Sequence, residues 1–363
     1  MVIKGLKGIP AAETSISFID GDKGILIYRG HEASRLALSY SFEEVAYLLW
    51  KEKFPDNAEL LSFKEELALA RELPEYLVEM LYLLPENMEI MDVLRTCISA
   101  IGTKEYNWKP SIDQAIRLTA IMPVLIASRY RINKGLSPIE PMMDLGHTAN
   151  YLYMLTGEIP TKSQEKAMDA YMILTAEHGM NASTFAARVT ASTESDMVSA
   201  VTAAIGAMKG PLHGGAPTAV LNMLDEIQKE ENAEVWIREK LDRNEKIMGF
   251  GHRIYKTRDP RAAALQEITR GISGDEHWLS LANSVEEKAI SLLEEYKPGR
   301  KLYTNVEFYA AAIMKAIDME AALFTPTFTA ARTAGWTAHV LEQSLDNAIY
   351  RPESVYTGPF YVE

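Results

Sequence analysis

From Ser41 onward, apolar residues recur at the three-to-four spacing of a helix and almost nowhere alternate as in a strand, which excludes every fold built around a large sheet. The run "SFEEVAYLLW" opens with Ser41 and Glu44 at capping-box spacing. "SFKEELALARELP", "EYLVEMLYLLP" and "IMDVLRTCISAIG" follow, each closed by Pro or Gly. "SIDQAIRLTAIMPVLIASRYRIN" is more apolar and carries Pro123, which predicts a kinked central helix. "SQEKAMDAYMILTAEHGM" and "DMVSAVTAAIGAMKG" have so few charges that they must be covered on most sides, by a core or by a second subunit. After Gly215 the helices turn strongly charged, as in "LDEIQKEENAEVWIREKLDRNEK", and become apolar again at "AALFTPTFTAARTAGWTAHVLEQ". Nearly the only β signal is "SISFIDGDKGILIYRG", two short runs around a turn. The expectation is an all-α fold with a short N-terminal β-hairpin. At 363 residues, a large domain with a smaller companion is the natural division.

Charge and composition narrow the function. With 37 basic against 50 acidic residues the net charge is −13, which opposes binding to nucleic acid or to an anionic membrane surface. An anionic substrate would therefore need a local basic cluster. The single Cys97 leaves no internal disulfide and no cysteine zinc site, and its helical flanks read as a buried thiol. The start "MVIKGLKGIPAAETS" lacks the apolar core of a signal peptide, and no run of about 18 apolar residues occurs, so a soluble, cytoplasmic protein is expected.

Of seven histidines, three sit in segments that break the helical rhythm with glycine: His178 in "LTAEHGMNAST", His213 in "KGPLHGGAPTA" and His252 in "GFGHRIYKTRDPRA". Glycine beside a histidine lets a ligand approach and lets the backbone turn. One such pair is more often structural; three in one helical chain point to a site. Zinc would require an i, i+4 ligand pair on a helix or cysteine ligands, and neither is present, so no metal is expected. "GPLHGGA" is not a P-loop and follows no strand. Arg253, Lys256, Arg258 and Arg261 place four cations in nine residues of an acidic chain. They form either a solvated turn paired with Asp259 or a site for carboxylate or phosphate. Arg332 lies in a helix otherwise uncharged until Glu342, where a buried cation needs a partner. Arg351, in "YRPES", reads on its own as surface.

One acid stands out. In "YTNVEFYAAA", Glu307 is surrounded by aromatic and small apolar residues. It is either a helix-start acid, with Asn305 as the cap, or a desolvated general base. An acid to take a proton, neutral histidines to stabilise an oxyanion and arginines to hold a polycarboxylate suit carbon–carbon bond formation beside a carbonyl.

"KGPLHGGAPTAV", "GFGHRIYKTRDPRA", "TNVEFYA" and "ARTAGWTAHVLEQ", in this order, resemble citrate synthase of the shorter bacterial and archaeal type; "EHGMNASTFAARV" and "IDGDKGILIYRGH" match it too. The resemblance covers essentially the whole chain. It implies a nearly all-helical homodimer, with residues 1–215 and 319–363 as the large domain and 216–318 as a smaller domain that closes over acetyl-CoA and oxaloacetate. It assigns His178 to oxaloacetate, His213 to the thioester oxygen and enolate, and His252 to the oxaloacetate ketone. Arg261 and Arg332 would hold substrate carboxylates, Arg351 would reach across from the partner subunit, and Lys256 and Arg253 would meet coenzyme A. No cofactor is implied beyond the coenzyme A thioester, which is a substrate.

The family's base is Asp in an "NVD" setting, whereas this chain has Glu307 in "NVE", a form that resembles a minor paralogue among the bacilli. The extra methylene moves the carboxylate by roughly 1.5 Å on a fixed backbone. A misplacement of about 1 Å can cost on the order of 100-fold in rate. The resemblance therefore leaves 2-methylcitrate synthase, acting on propionyl-CoA, and a low-activity paralogue binding coenzyme A or a dicarboxylate as alternatives.

Overall fold

A computed structural model describes residues 3–214, 216–252, 254–270 and 276–360. The N-terminal hairpin forms as the turn chemistry predicts: β1 (Ser17–Asp20) pairs antiparallel with β2 (Ile25–Tyr28), Ser17 opposite Tyr28 and Asp20 opposite Ile25. A third strand absent from the sequence reading, β3 (His31–Glu32), extends the sheet by two residues. The turn does more than join strands. A β-carbon on Gly21 would collide with the Ile254 carbonyl, and the Gly21 carbonyl accepts from the Lys256 amide at 2.8 Å. Glycine is thus what lets the hairpin lie against the basic "HRIYKTR" loop.

Helices account for nearly all the remaining regular structure. The first half comprises α1 (Ala33–Ser39), α2 (Phe42–Lys51), α3 (Asn57–Leu69), α4 (Glu75–Leu83), α5 (Ile90–Ala100), α6 (Ile112–Asn133), α7 (His147–Thr156) and α8 (Lys162–Ala176). Then come α9 (Ala182–Ser192), α10 (Met197–Met208), α11 (Ala216–Ile227), α12 (Glu230–Asp242), α13 (Pro260–Thr269), α14 (Glu276–Tyr296), α15 (Val306–Ala316) and α16 (Phe324–Leu345). The Ser41–Glu44 capping box is present, with the Ser41 hydroxyl accepting from the Glu44 amide and the Glu44 carboxylate accepting from the Ser41 amide at 2.8 Å. Pro123 lies inside α6, a single helix of 22 residues. α3 begins five residues before its apolar run because Asp56 caps it, accepting from Ala58 and Glu59.

Apolar composition decides position. α16, whose Trp336 is fully buried, packs against α2, α6, α8, α9 and α10 at the centre of the molecule. The charged helices pack outside it: α12 on α14, and α11 and α13 on α15, while α13 and α15 also touch α8. Cys97 is buried in the core, and burial pushes its thiol up to about 11.

Candidate active site

The three histidines, distant in sequence, belong to one site. His178 follows the end of α8, and its ring centre lies 5.6 Å from that of His252, edge to face. His213 sits in the turn after α10, where its Nε2 is 2.7 Å from the Ser183 hydroxyl. Burial is the main cause holding all three neutral. It lowers His178 well below the usual imidazole range, with the positive charges of Arg261 and Arg332 adding to the effect. Burial and Arg332 bring His213 down to about 4, and burial and Arg261 do the same for His252. A neutral imidazole can donate to an oxyanion without first losing a charge.

The ring of His252 is fixed by its own loop. Its Nδ1 accepts from the amides of Ile254 and Tyr255, both at 3.1 Å. Its proton is therefore on Nε2.

Asp259 organises the arginine side. Its carboxylate caps α13 by accepting from the Arg261 amide at 3.0 Å, and it grips the Arg261 guanidinium through Nε at 3.1 Å and Nη2 at 2.8 Å. Both residues are nearly fully buried, and against the cost of burial the carboxylate keeps Arg261 charged. The same Oδ2 accepts from the Val306 amide at 3.2 Å, the first residue of α15. The basic turn and the start of the Glu307 helix are thus held by one carboxylate. Arg332 is buried on α16; its Nε donates to the Thr175 carbonyl at 2.5 Å, and its guanidinium lies over Phe328. Arg258, by contrast, is turned toward Gln266 and Glu286.

Glu307 satisfies both readings of its stretch. Asn305 caps α15, its side-chain oxygen accepting from the Glu307 amide at 3.1 Å. The carboxyl group is nevertheless not solvated like a surface acid. Glu307 keeps part of its surface accessible, yet the protein packed around it pushes its pKa up to about 7; Asp259 pushes the same way, and Arg261 and Arg332 oppose. An acid in that range is half-ionised near neutrality and basic enough for proton abstraction.

The remaining predicted residues are more peripheral. Lys256 is exposed on the loop held by the hairpin. Arg253 lies outside the described residues. Arg351 is exposed on the segment after α16, and no described contact of this chain joins it to the cluster. Sequence reasoning missed Tyr255, whose hydroxyl is 3.1 Å from His178 Nε2, and Ser183, the partner of His213. The only signal for either was its place inside a histidine-bearing segment. Two cavities, of about 730 and 540 Å³, open elsewhere, the larger beside Ser15 and Tyr350 and the smaller beside Met91 and Lys134; none of these six central residues, His178, His213, His252, Arg261, Glu307 and Arg332, lines either.

Comparison with known proteins places the chain in a family. The family model described as citrate synthase, C-terminal domain, matches residues 5–353. Citrate synthase 2 of Bacillus subtilis is 43% identical over 366 residues, spanning 98% of this chain and 96% of its own. A 2-methylcitrate synthase of Mycobacterium tuberculosis is 40% identical, over 98% of this chain and 90% of its own. Among solved structures, a ternary complex of carboxymethyl coenzyme A and oxaloacetate with citrate synthase from Thermoplasma acidophilum superposes with a TM-score of 0.91 at 29% identity, covering 100% of this chain and 98% of that one. The chain belongs to the citrate synthase family and is an acyltransferase of that type.

Proposed function

We propose that the protein condenses acetyl-CoA with oxaloacetate and water to give citrate and coenzyme A. The observation that carries this reading is the pairing of a base raised to about 7, Glu307, with neutral His213 and His252 and two buried arginines. Glu307 takes a methyl proton from the thioester while an N–H of His213 stabilises the enolate oxygen. The Ser183 hydroxyl lies 2.7 Å from His213 Nε2 and 2.8 Å from Asn181 Oδ1, and in the form where its one proton goes to the ring, Nδ1–H is the donor for that role. The enolate carbon attacks the oxaloacetate ketone while His252 Nε2–H stabilises the new alkoxide. The alkoxide takes up one proton by way of His252, and the ring returns to neutral by regaining one, equal to the proton that Glu307 removed. Water then cleaves citryl-CoA, releasing the coenzyme A thiol.

Substrate carboxylates are held by Arg261 and Arg332, with His178 donating to oxaloacetate and Lys256 meeting coenzyme A. Side chains alone are assigned to every step, with no metal or further cofactor. Residues 216–318 act as a lid on residues 1–215 and 319–363, excluding water from the thioester until the new bond has formed. The mutual packing of α11–α15 supports such a division, with α13 meeting both α8 and α1, and α15 meeting α8, across it. The working unit is a homodimer in the cytoplasm, with Arg351 supplied by the partner subunit. Among the described residues, no helix is long and apolar enough to cross a membrane.

The test is thiol release from acetyl-CoA plus oxaloacetate by the wild type beside Glu307→Asp and Glu307→Gln. We expect turnover in the wild type, activity in the Asp variant and loss of about 100-fold or more in the Gln variant. Equal rates for wild type and Gln would remove Glu307 as the base. The 40% identity to a 2-methylcitrate synthase favours propionyl-CoA as the second reading. Preference for propionyl-CoA at matched concentrations would replace acetyl-CoA in the proposal.

A further inference from the structure

Tyr255 was not singled out by the sequence, yet it touches both histidines on the oxaloacetate side. It is 2% exposed, its ring lies 4.8 Å from that of His252, and the Arg261 guanidinium stands 5.8 Å from its ring centre. Its backbone amide donates to His252 Nδ1, and its hydroxyl lies 3.1 Å from His178 Nε2.

The proton count on that hydroxyl is decisive. A buried phenol must place its proton on an acceptor, and among the described residues the only hydrogen-bond partner of this hydroxyl is His178 Nε2. Burial also keeps the phenol protonated. If His178 carried its proton on Nε2, two donors would face each other or the phenolic proton would be stranded. The satisfied arrangement has Tyr255 O–H donating and His178 Nε2 accepting. The single proton of the neutral ring is then on Nδ1, which has no hydrogen-bond partner among the described residues and is not one of the sealed, unpaired nitrogens, as His147 Nε2 is.

His252 has the opposite assignment, with Nδ1 occupied by two amides and the proton on Nε2. The Arg261 Nη2 atom, 3.5 Å from that Nε2, is at the limit of a hydrogen bond and yields to the two shorter amide contacts. Two neighbouring imidazoles thus carry their protons on different ring atoms, and one residue meets the accepting nitrogen of each.

We propose that Tyr255 is a positioning residue that fixes the tautomers of both histidines, through its hydroxyl at His178 and its backbone amide at His252, so that each offers one N–H to a substrate whose oxygens only accept. This rests on the assignment of oxaloacetate to the site. The loop carrying Tyr255 is itself held by the Gly21 carbonyl, so the N-terminal hairpin supports the arrangement from behind.

The experiment is nitrogen NMR of histidine-labelled, full-length protein without substrate, with the His178 signals identified by their loss in His178→Gln. We expect wild-type His178 to be neutral with its proton on Nδ1 and His252 to be neutral with its proton on Nε2. Tyr255→Phe keeps the amide and removes the hydroxyl. It should release His178 to a mixture of tautomers, leave His252 unchanged and raise the oxaloacetate KM roughly three- to tenfold, with a smaller change in kcat. A wild-type His178 protonated on Nε2 overturns the proposal. So does a Phe variant whose His178 spectrum and oxaloacetate KM both match the wild type. Should that variant fail to fold, the wild-type spectrum decides alone. Expected tautomers in a protein that turns over no acetyl-CoA would retain the proton assignment and reject the reaction instead.

Discussion

At the scale of single residues, Glu307 carries its charge at a cost that pH can expose. Its pKa rises from 4.5 to about 7 on folding, so the folded protein favours the protonated form. The contribution of this group to stability is fully present below the unfolded value and is lost as pH rises through about 7. Glu307→Gln, which cannot ionise, should therefore be more stable than the wild type above pH ~8, by up to about 3 kcal/mol, and should match it near pH ~4. Unfolding midpoints measured across that range check the sign, and a constant difference would show that Glu307 is not desolvated. The same titration should appear as an acid limb in kcat near pH 7, because only the ionised carboxylate removes a proton. Glu307 was legible in the sequence because an acid among aromatic and small residues is out of place. Tyr255 was not, since a tyrosine near lysine and arginine is ordinary and its partner His178 is 77 residues away.

At the scale of elements, local chemistry predicted well and close approach did not. The hairpin and the Ser41 cap follow from residues within a few positions of each other. α1 escaped notice because it has seven residues and no side-chain cap. Nothing local announces that Gly335, in the middle of α16, lies against the end of α8. A β-carbon there would collide with the Ala176 carbonyl and stand 2.8 Å from Glu177 Oε2. Glu177 is fully buried; its Oε1 accepts from His339 at 3.1 Å and from Ser17 at 2.8 Å, and it immediately precedes His178. Gly335→Ala should cost about 1–3 kcal/mol by overpacking and lower activity by displacing His178. A thermal scan beside an oxaloacetate titration checks this, and an unchanged midpoint would mean that the two helices separate without penalty.

At the scale of the whole molecule, the irregular segment after α16 leaves Ile349, Val355, Tyr356 and Phe360 all well exposed. Apolar side chains in such a row call for a covering surface, and a second copy of the chain supplies one if Arg351 crosses between subunits. Light scattering should give about twice the 40.6 kDa chain mass. Mixing an inactive Arg351→Gln protein with inactive Glu307→Gln, after subunit exchange, should restore roughly a quarter of wild-type activity, because half the dimers would then hold one complete site. No recovery would place Arg351 in its own subunit's site or outside the site altogether. Periodicity could place the apolar helices inside the molecule, but it could not separate a core face from a subunit face, since both are made of the same small residues.

The Asp259 carboxylate holds the Arg261 guanidinium and, 47 residues away, the backbone that opens the Glu307 helix. It grips a main-chain amide, so the frame is indifferent to which acid stands at position 307. Aspartate and glutamate codons differ only in their third base. With Glu307 as the proposed base, a lineage can therefore exchange one acid for the other in a single mutational step, leaving the arginine where it was and exposing only the rate of proton removal to selection.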